Sequence, residues 1–266
     1  MQRFDVGDDI GTDDAEDGDL DDEDLIERED MVVTVTQSGW IKRTPLADYR
    51  AQKRGGKGLS GGGLKEDDIV TTLFVANTHT PLLFFTTDGM VYKLKTWRLP
   101  QGGRTSKGKA IVNILPIPPG VSVAAIMPVD RAEDQWDQLQ IFFATSEGDV
   151  RRNALSDFTN VKSNGKIAMK LPEGVEMVNA RICSEDDDVM LVTDSGRAIR
   201  FPTTDVRVFA GRNSTGVRGI RLTGGEPTVR ARLTDLVAML AAALLHGRET
   251  GTELDALDRV DAHQRL

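Results

Sequence analysis

Basic side chains recur at matching positions after four glycine turns. The turn glycines are Gly39, Gly89, Gly148 and Gly196, which are separated by 50, 59 and 48 residues. Each glycine follows a threonine by three positions and precedes a strand-like run that carries two bases. Lysine and arginine bind phosphate groups, so bases at equivalent positions predict a surface for a polyanion such as a nucleic-acid backbone. These bases are Lys42 and Arg43, Lys93 and Lys95, Arg151 and Arg152, and Arg197 and Arg200.

Loops rich in glycine and bases form a second recurring feature, because one such loop follows each hairpin. The loops are Gln52–Gly58, Gly103–Lys109, Ser163–Lys166 and Gly211–Arg218. If the repeats are related by rotation, their strand bases and loop bases fall on one rim. Aromatic residues make up only 5% of the chain, which favours a duplex backbone over stacked single-stranded bases. The predicted loop contacts are Arg104, Lys107, Lys109, Lys166, Arg212 and Arg218.

The first loop also has the glycine spacing of a nucleotide-binding turn at Gly56–Gly61. That turn requires a buried strand before it and a helix after it, whose N-terminus holds the pyrophosphate. Here the approach, Asp48–Arg54, is polar, and the exit through Gly62 and Gly63 begins no helix. A P-loop is also excluded, because Leu64 stands where a phosphate-binding lysine is needed.

Catalytic and metal-binding motifs are not found in the sequence. His79, His246 and His263 lie outside any recognised nucleophile or zinc motif. Cys183 is the single cysteine, and the acidic run Glu185–Asp188 resembles a solvated turn before a strand. We therefore expect no catalytic residue, no metal site and no cofactor in this chain.

Charge is distributed unevenly along the 266 residues, whose formal net charge is −9. Residues 1–30 contain 15 acids and two bases, a local charge of −13, and are predicted to form a disordered acidic linker. Residues 31–226 contain 26 bases and 21 acids, a net of +5. The linker could compete with a polyanion for the basic rim.

The longest apolar run, Leu236–Leu245, is too short to span a membrane, so a cytoplasmic location is expected.

The alternation of short β-branched or aromatic runs with glycine turns predicts an all-β fold. Each glycine is interpreted as the second residue of a two-residue hairpin connection. About four strands per repeat indicate propeller-like blades at about 31–80, 81–135, 136–186 and 187–226, the last of them incomplete. After Gly225 the pattern changes, and 227–266 is predicted to be a divergent tail with a helix at 233–247.

The segment Gln52, Lys53, Arg54, Gly55, Gly56, Lys57, Gly58 closely resembles the signature box of the C-terminal domain of the DNA gyrase A family. Lys53 replaces the usual arginine, which keeps the charge and removes the planar two-donor fork. The resemblance covers about residues 20–225. Further similar stretches are Asp22–Thr36, Leu73–Thr80, Tyr92–Pro100, Val150–Phe158 and Phe201–Arg221.

The resemblance implies a β-pinwheel, a disc of blades in which neighbours exchange strands, with about three complete blades and part of a fourth. It also implies that duplex DNA wraps around a basic rim and that the box supports ATP-dependent negative supercoiling. The implied partners are DNA, the B subunit of gyrase and the rest of a gyrase A dimer, with ATP and Mg²⁺ bound elsewhere in that assembly. The family's cleavage tyrosine belongs to a different domain, and Tyr49 and Tyr92 lie in blade sequence. We therefore expect a fragment that is not catalytic alone.

A protein-interaction module with a propeller-like fold is the alternative function. Trp40, Trp97 and Trp136 would be its natural anchors, since tryptophan is enriched at the centres of interfaces. Binding of duplex DNA would distinguish the two functions.

Overall fold

The computed structural model describes residues 23, 25–49, 68–193, 196–211 and 215–219. Four predicted features lie outside these residues: most of the acidic linker, the box at Gln52–Gly58, the base Arg212 and the helix-containing tail at 227–266. Among the described residues, no helix is long and apolar enough to cross a membrane.

The described residues form strands joined by short 3-10 turns, which confirms the predicted all-β class. The 3-10 turns are Leu46–Asp48, Thr96–Arg98, Ile111–Asn113, Glu133–Gln138, Leu155–Phe158 and Thr203–Asp205. The strands are β1 (Asp30–Thr36), β2 (Trp40–Pro45), β3 (Val70–Asn77), β4 (Pro81–Thr86), β5 (Met90–Lys95), β6 (Lys109–Ala110), β7 (Val123–Pro128), β8 (Gln140–Thr145), β9 (Asp149–Ala154), β10 (Lys166–Ile167), β11 (Met177–Cys183), β12 (Asp188–Val192), β13 (Ala198–Pro202) and β14 (Val217–Arg218).

Three sheets have four strands, and a fourth has two within the described residues. The strand orders are β3-β1-β2-β6, β10-β5-β4-β7, β11-β8-β9-β14 and β12-β13. In each four-stranded sheet, a central hairpin is flanked on one side by a strand of six to eight residues that follows it in sequence. This arrangement matches the expected three complete blades and part of a fourth.

The other flanking strand of each complete sheet comes from the loop of the following repeat. β6 lies beside β2, with Ile41 opposite Lys109, and β14 lies beside β9, with Val150 opposite Val217. β10 pairs with β5 in the same way. The exchange of strands between neighbours that the resemblance implied is therefore confirmed.

The four hairpin turns share a glycine amide that donates to the threonine carbonyl and a positive φ at the glycine. In three of them the threonine hydroxyl also accepts from the amide after the glycine, whereas in the second turn the Met90 amide donates to Oδ1 of Asp88. In the first turn, the Gly39 amide donates to the Thr36 carbonyl at 2.9 Å, and Gly39 has a φ of 78°. The Thr36 hydroxyl accepts from the Trp40 amide at 3.2 Å. A turn followed by a left-handed glycine is the three-residue hairpin loop, so the expected two-residue connection was wrong. Glycine is required because a side chain would be strained at this φ.

Two compact units divide the chain. The first comprises the described parts of 1–82, 94–115 and 128–130, and the second comprises those of 83–93, 116–127 and 131–266. Met31, Val33 and Ile41 are buried in the first unit. In the second unit, Phe85, Phe143 and Phe158 pack in T-shaped, edge-to-face pairs, with ring centroids 5.4 to 5.9 Å apart. Another cluster in that unit surrounds Phe142, Cys183 and Leu191.

Candidate nucleic-acid interface

The strand base Lys42 is buried and bonded to a loop of its own unit. Its side chain is 5% exposed, and Nζ donates to the carbonyl oxygens of Gly103 at 3.0 Å, Arg104 at 2.6 Å and Ser106 at 2.8 Å. Burial lowers the pKa of the Lys42 ammonium from its ordinary value. Three carbonyl oxygens oppose that effect, since hydrogen bonds to the charged form favour it.

Arg43, the next strand base, is half-buried on the opposite face of β2. Its Nε donates to the Leu99 carbonyl at 2.8 Å, beside the 3-10 turn Thr96–Arg98. Burial lowers the pKa of this guanidinium, and the nearby charge of Glu29 acts in the opposite direction. Arg43 therefore also contacts the loop of the following repeat rather than lying free in solvent.

The corresponding pair in the second unit, Arg151 and Arg152, is buried as well, with exposures of 0% and 5%. Nε of Arg151 donates to Oδ1 of Asn153 at 2.7 Å, and Nη2 donates to the Gly211 carbonyl. The guanidinium lies 5.2 Å from the Phe209 ring centroid. Charge in this pair is thus directed at the interior of the unit.

Burial of Lys42, Arg151 and Arg152 corrects the expectation that these strand bases lie on an exposed rim. The physical reason is strand exchange, because the loop and short strand of the next repeat cover this side of the first and third hairpins. The covering loop presents backbone carbonyl oxygens, which require donors when they are buried. Lys42 and Arg151 supply such donors, and neither side chain is accessible to a phosphate. Arg152 is buried as well, and its Nε and Nη1 have no hydrogen-bond partner among the described residues.

The strand bases of the second repeat, Lys93 and Lys95, are partly buried and paired. Nζ of Lys93 donates to the carboxylate of Glu133 at 2.9 Å and also to the Thr159 carbonyl. Nζ of Lys95 lies 3.2 Å from the Glu23 carboxylate, with side-chain exposures of 32% and 26%. Partly exposed pairs of this kind contribute little to stability, so DNA could compete with the acidic partners.

In the first unit, the bases between Gly103 and Lys109 are more accessible than the β2 bases Lys42 and Arg43. Lys107 and Lys109 are exposed in the first unit, and Arg104 is half-buried. Nζ of Lys107 lies 3.6 Å from the ring centroid of Trp40, which orients the ammonium at the surface. Lys166 is half-buried and donates to two carbonyls of its own loop, at Asp157 and Asn160.

Exposed arginines complete the predicted set in the second unit. Arg200 pairs with Asp188, its Nε lying 2.7 Å from Oδ2. Arg218 pairs with Asp149 at 3.0 Å, and Arg197 is exposed in the fourth repeat. Exposed bases among the described residues that the sequence interpretation did not select are Arg28, Arg98, Arg131, Lys162, Lys170, Arg181 and Arg207. A search keyed to loops and 3-10 turns instead of strands would have found Arg98, Lys162 and Arg207.

The described end of the acidic linker is bound to the first unit, which differs from the disordered linker expected there. The Thr78 hydroxyl donates to the Glu27 carbonyl at 2.8 Å, and the Thr78 amide donates to the Glu29 carbonyl at 2.9 Å. A ring nitrogen of His79 lies 3.2 Å from the Glu23 carbonyl oxygen. These contacts bring the Glu23 carboxylate to Lys95, one of the predicted DNA contacts.

The tryptophans are poorly placed to anchor a protein partner. Trp136 is 0% exposed, and its Nε1 donates to the Arg131 carbonyl at 3.0 Å. Trp40 and Trp97 are half-buried beneath the cations of Lys107 and Arg98. Within the described ranges, no group of three or more His, Cys, Asp or Glu side chains could hold a metal ion.

A family model described as "DNA gyrase C-terminal domain, beta-propeller" matches residues 30–77, 80–130, 140–184 and 187–235. Together these segments cover more than half of the chain. The chain belongs to the gyrase A C-terminal domain family. Each matched segment begins within a residue of the first hairpin strand of a sheet, so the family repeat consists of a hairpin, a loop and the longer flanking strand.

Relatives of this family include the A subunit of DNA gyrase from Rickettsia bellii, which is 49% identical over 211 residues. That match covers 79% of this chain and 23% of the relative. The A subunit of DNA gyrase from Granulibacter bethesdensis is 45% identical over 250 residues, covering 90% of this chain and 27% of the relative. The chain thus spans about a quarter of the length of the curated relatives that it matches.

Two solved structures of C-terminal domains are similar to this one. The C-terminal domain of DNA topoisomerase IV is 25% identical with a TM-score of 0.63, covering 75% of this chain and 59% of that one. The DNA gyrase A C-terminal domain is 26% identical with a TM-score of 0.55, covering 73% of this chain and 61% of that one. Both likenesses agree with the β-pinwheel arrangement of the sheets.

Proposed function

We propose that this chain binds duplex DNA through its exposed loop bases and bends the DNA around its repeats. The observation that carries this proposal is the exposure of Lys107 and Lys109 on a loop tied down by strand exchange, in a chain of the gyrase A C-terminal domain family. Lysine side chains bind the phosphate backbone without reading the base sequence. Binding is therefore weakly sequence-specific and strongly dependent on salt.

Wrapping requires several loops to act together, because duplex DNA resists bending. A bend of 40–90° over a site of 20–30 bp costs on the order of 1–6 kcal/mol. Exposed bases in successive repeats, such as Lys107, Lys162 and Arg197, offer the distributed phosphate contacts that offset this energy. The box residues Gln52–Gly58 and Arg212 belong to the same class of basic loop in the sequence.

In the assembled enzyme, the proposed wrapping supports ATP-dependent negative supercoiling of DNA. The partners would be the B subunit of gyrase and the rest of a gyrase A dimer, which would carry the ATP, the Mg²⁺ and the cleavage chemistry. This part of the proposal is supported by relatives whose names identify them as the A subunit of DNA gyrase. A chromosomal DNA substrate implies a cytoplasmic location.

The experiment measures duplex binding by the full chain over a range of salt concentrations, using fluorescence anisotropy of a labelled duplex. The logarithm of the association constant should fall linearly with the logarithm of salt concentration, by about 0.9 for each phosphate contact. The variant that combines Lys53→Ala, Arg54→Ala and Lys57→Ala should bind more weakly, with a shallower slope. A scrambled duplex of equal length should bind equally well.

Affinity that does not change with salt would contradict the electrostatic contacts. A folded chain that binds no duplex at low salt would contradict the function itself and would favour the protein-interaction module. Circular dichroism on the same samples distinguishes a failure of binding from a failure of folding.

A further inference from the structure

We propose that Lys42 is a positioning residue for DNA binding, which fixes the loop 102–107 so that Arg104 and Lys107 face the phosphate backbone. This inference rests on the proposed function and assigns to a buried strand lysine a role that acts through another segment. It differs from the sequence interpretation, in which Lys42 itself contacts DNA.

Three acceptors account for all of the hydrogen-bonding capacity of Lys42. A lysine ammonium has three N–H donors and no acceptor. Nζ has carbonyl oxygens of Gly103, Arg104 and Ser106 at 3.0, 2.6 and 2.8 Å. With every donor used and the side chain 5% exposed, Lys42 has no donor left for a phosphate. Instead, three backbone carbonyl groups of the loop converge on this one ammonium group, which fixes the conformation of the loop.

Both ends of this loop are also tied to the hairpin that carries Lys42. At the entry, the Thr44 hydroxyl donates to the Gly102 carbonyl at 2.8 Å. At the exit, Gly108 has a φ of 84°, and a Cβ added to it would lie 2.3 Å from the Ile41 carbonyl oxygen. Lys42 and Thr44 are two residues apart, so they share one face of β2. Strand and loop therefore form one hydrogen-bonded assembly, from which the exposed Lys107 projects.

The same device recurs in the second unit, which argues against a chance contact. Parallel bridges pair Arg43 with Gln101 and Arg152 with Val208, so Arg104 and Gly211 are equivalent loop positions. Arg151 is equivalent to Lys42, and it donates to the Gly211 carbonyl, as Lys42 does to the Arg104 carbonyl. Asn153 stands where Thr44 does and donates to the Phe209 carbonyl at 3.1 Å, at the position of Gly102.

The second repeat has an aromatic residue at this position, and its loop is held in a different way. Tyr92 replaces the cation, and its ring lies against Gly165, where an added Cβ would approach it to 2.7 Å. Lys166, the first residue of β10, then donates to the carbonyls of Asp157 and Asn160, each at 2.9 Å. In all three repeats, a buried or half-buried cation thus organises the carbonyls of a basic loop.

A double-mutant cycle tests the inference on the full chain, with a labelled duplex as the probe. The variants are Lys42→Met, the pair Arg104→Ala with Lys107→Ala, and the triple combination. The pair should lower the magnitude of the salt slope by about 1.8, which corresponds to two phosphate contacts. Lys42→Met should lower it by about 0.9 to 1.8, and the triple variant should match the pair. A direct contact by Lys42 would instead make the triple variant lose about 2.7, which would overturn the inference.

Two controls separate positioning from a general loss of charge or fold. Lys170→Met removes an exposed lysine, and any effect it has should add to that of the alanine pair. Lys42→Arg should retain the unmodified slope, because arginine occupies the equivalent position 151. Binding is compared at a temperature where each variant is folded by circular dichroism. If Lys42→Met does not fold, Thr44→Val releases the same loop and should reduce the slope without adding to the alanine pair.

Limited trypsin digestion gives a readout that does not depend on DNA. Cleavage after Arg104 and Lys107 should be faster in Lys42→Met than in the unmodified chain, whereas cleavage after Lys162 should be unchanged. Equal cleavage in all variants would overturn the positioning role. If the alanine pair binds DNA like the unmodified chain, the positioning role fails, while the proposed function stands as long as the unmodified slope remains steep.

Discussion

The strand cations Lys42 and Arg151 and the exposed cations Lys107 and Lys109 carry the same charge and have opposite environments. Lys42 and Arg151 are buried, and their donors are directed at carbonyl oxygens of a neighbouring loop. Lys107 is exposed on the loop that Lys42 holds, and Lys109 is exposed at the start of β6, which follows that loop. The difference shows that a base which recurs in each repeat occupies the same kind of environment each time. That environment can be the protein interior as well as the surface.

The largest expected effect is a loss of stability in a variant that lacks the strand cation Arg151, which is 0% exposed. Arg151→Met should lower the free energy of unfolding by on the order of 3 kcal/mol, because buried acceptors at Asn153 and Gly211 lose their donors. Urea denaturation of the full chain, followed by circular dichroism, measures this change.

Arg197→Met is the matched control for the same substitution at an exposed position. It should change the free energy of unfolding by no more than about 0.5 kcal/mol. Equal destabilisation of the two variants would break the distinction between buried and exposed cations.

An intermediate effect concerns Cys183, which reports on the surroundings of the strand cation Arg152. Burial raises the pKa of the Cys183 thiol to about 12 from its ordinary value of 9.0, although Arg152 acts in the opposite direction. The unfolded chain therefore loses this proton first, and the associated stability is complete below pH 9 and is lost as the pH rises towards 12. Each pH unit in that window should lower the free energy of unfolding by up to about 1.4 kcal/mol.

Urea midpoints at about pH 8, 9 and 10 test this expectation, with Cys183→Ala as the variant that cannot titrate. The unmodified chain should lose more stability than the variant above the ordinary thiol pKa of 9.0. If the two chains show the same dependence on pH, the thiol titrates at its ordinary value, and the region around Arg152 is solvated rather than buried.

The smallest expected effect involves Lys95, a strand cation paired with the acidic linker. Glu23→Gln removes the carboxylate 3.2 Å from Nζ and should raise affinity for duplex DNA at low salt. Because exposed pairs contribute less than about 1 kcal/mol, the gain should be at most about fivefold and should vanish at high salt. Anisotropy titrations at two salt concentrations measure it. Glu173→Gln removes an equal charge from an exposed site, and an equal gain there would assign the effect to net charge alone.

Local sequence was a sufficient guide to the hairpins and to the order of the repeats. A threonine, a glycine three residues later and the flanking β-branched runs specify a turn whose hydrogen bonds all lie within five residues, such as Thr36 to Trp40. The exchanged strands β6, β10 and β14 are two residues long. Their own sequences contain no alternation to detect, and only pairing with a distant hairpin makes them strands.

The exposure of the candidate contacts was predictable for bases of the glycine-rich loops and unpredictable for the buried strand bases Lys42 and Arg151. Lys107 and Lys109 could be selected because a loop rich in glycine and bases is usually at the surface. Lys42 and Arg151 could not be assigned, because alternation along β2 and β9 does not reveal that both faces are covered. Both faces are covered because a neighbouring repeat contributes a strand and a loop. The sequence of the hairpin itself does not indicate this exchange.

The sequence by itself determined the four glycine turns, the all-β class and the separation of an acidic leader from a basic array, since each depends on residues close together in the chain. Tertiary structure decided which cations are buried in the fold and which remain exposed. The physical reason is distance along the chain: the carbonyl oxygens around Lys42 belong to residues 61 to 64 positions later. Only folding brings these groups together, so that a lysine, which is usually exposed to solvent, becomes a buried hydrogen-bond donor.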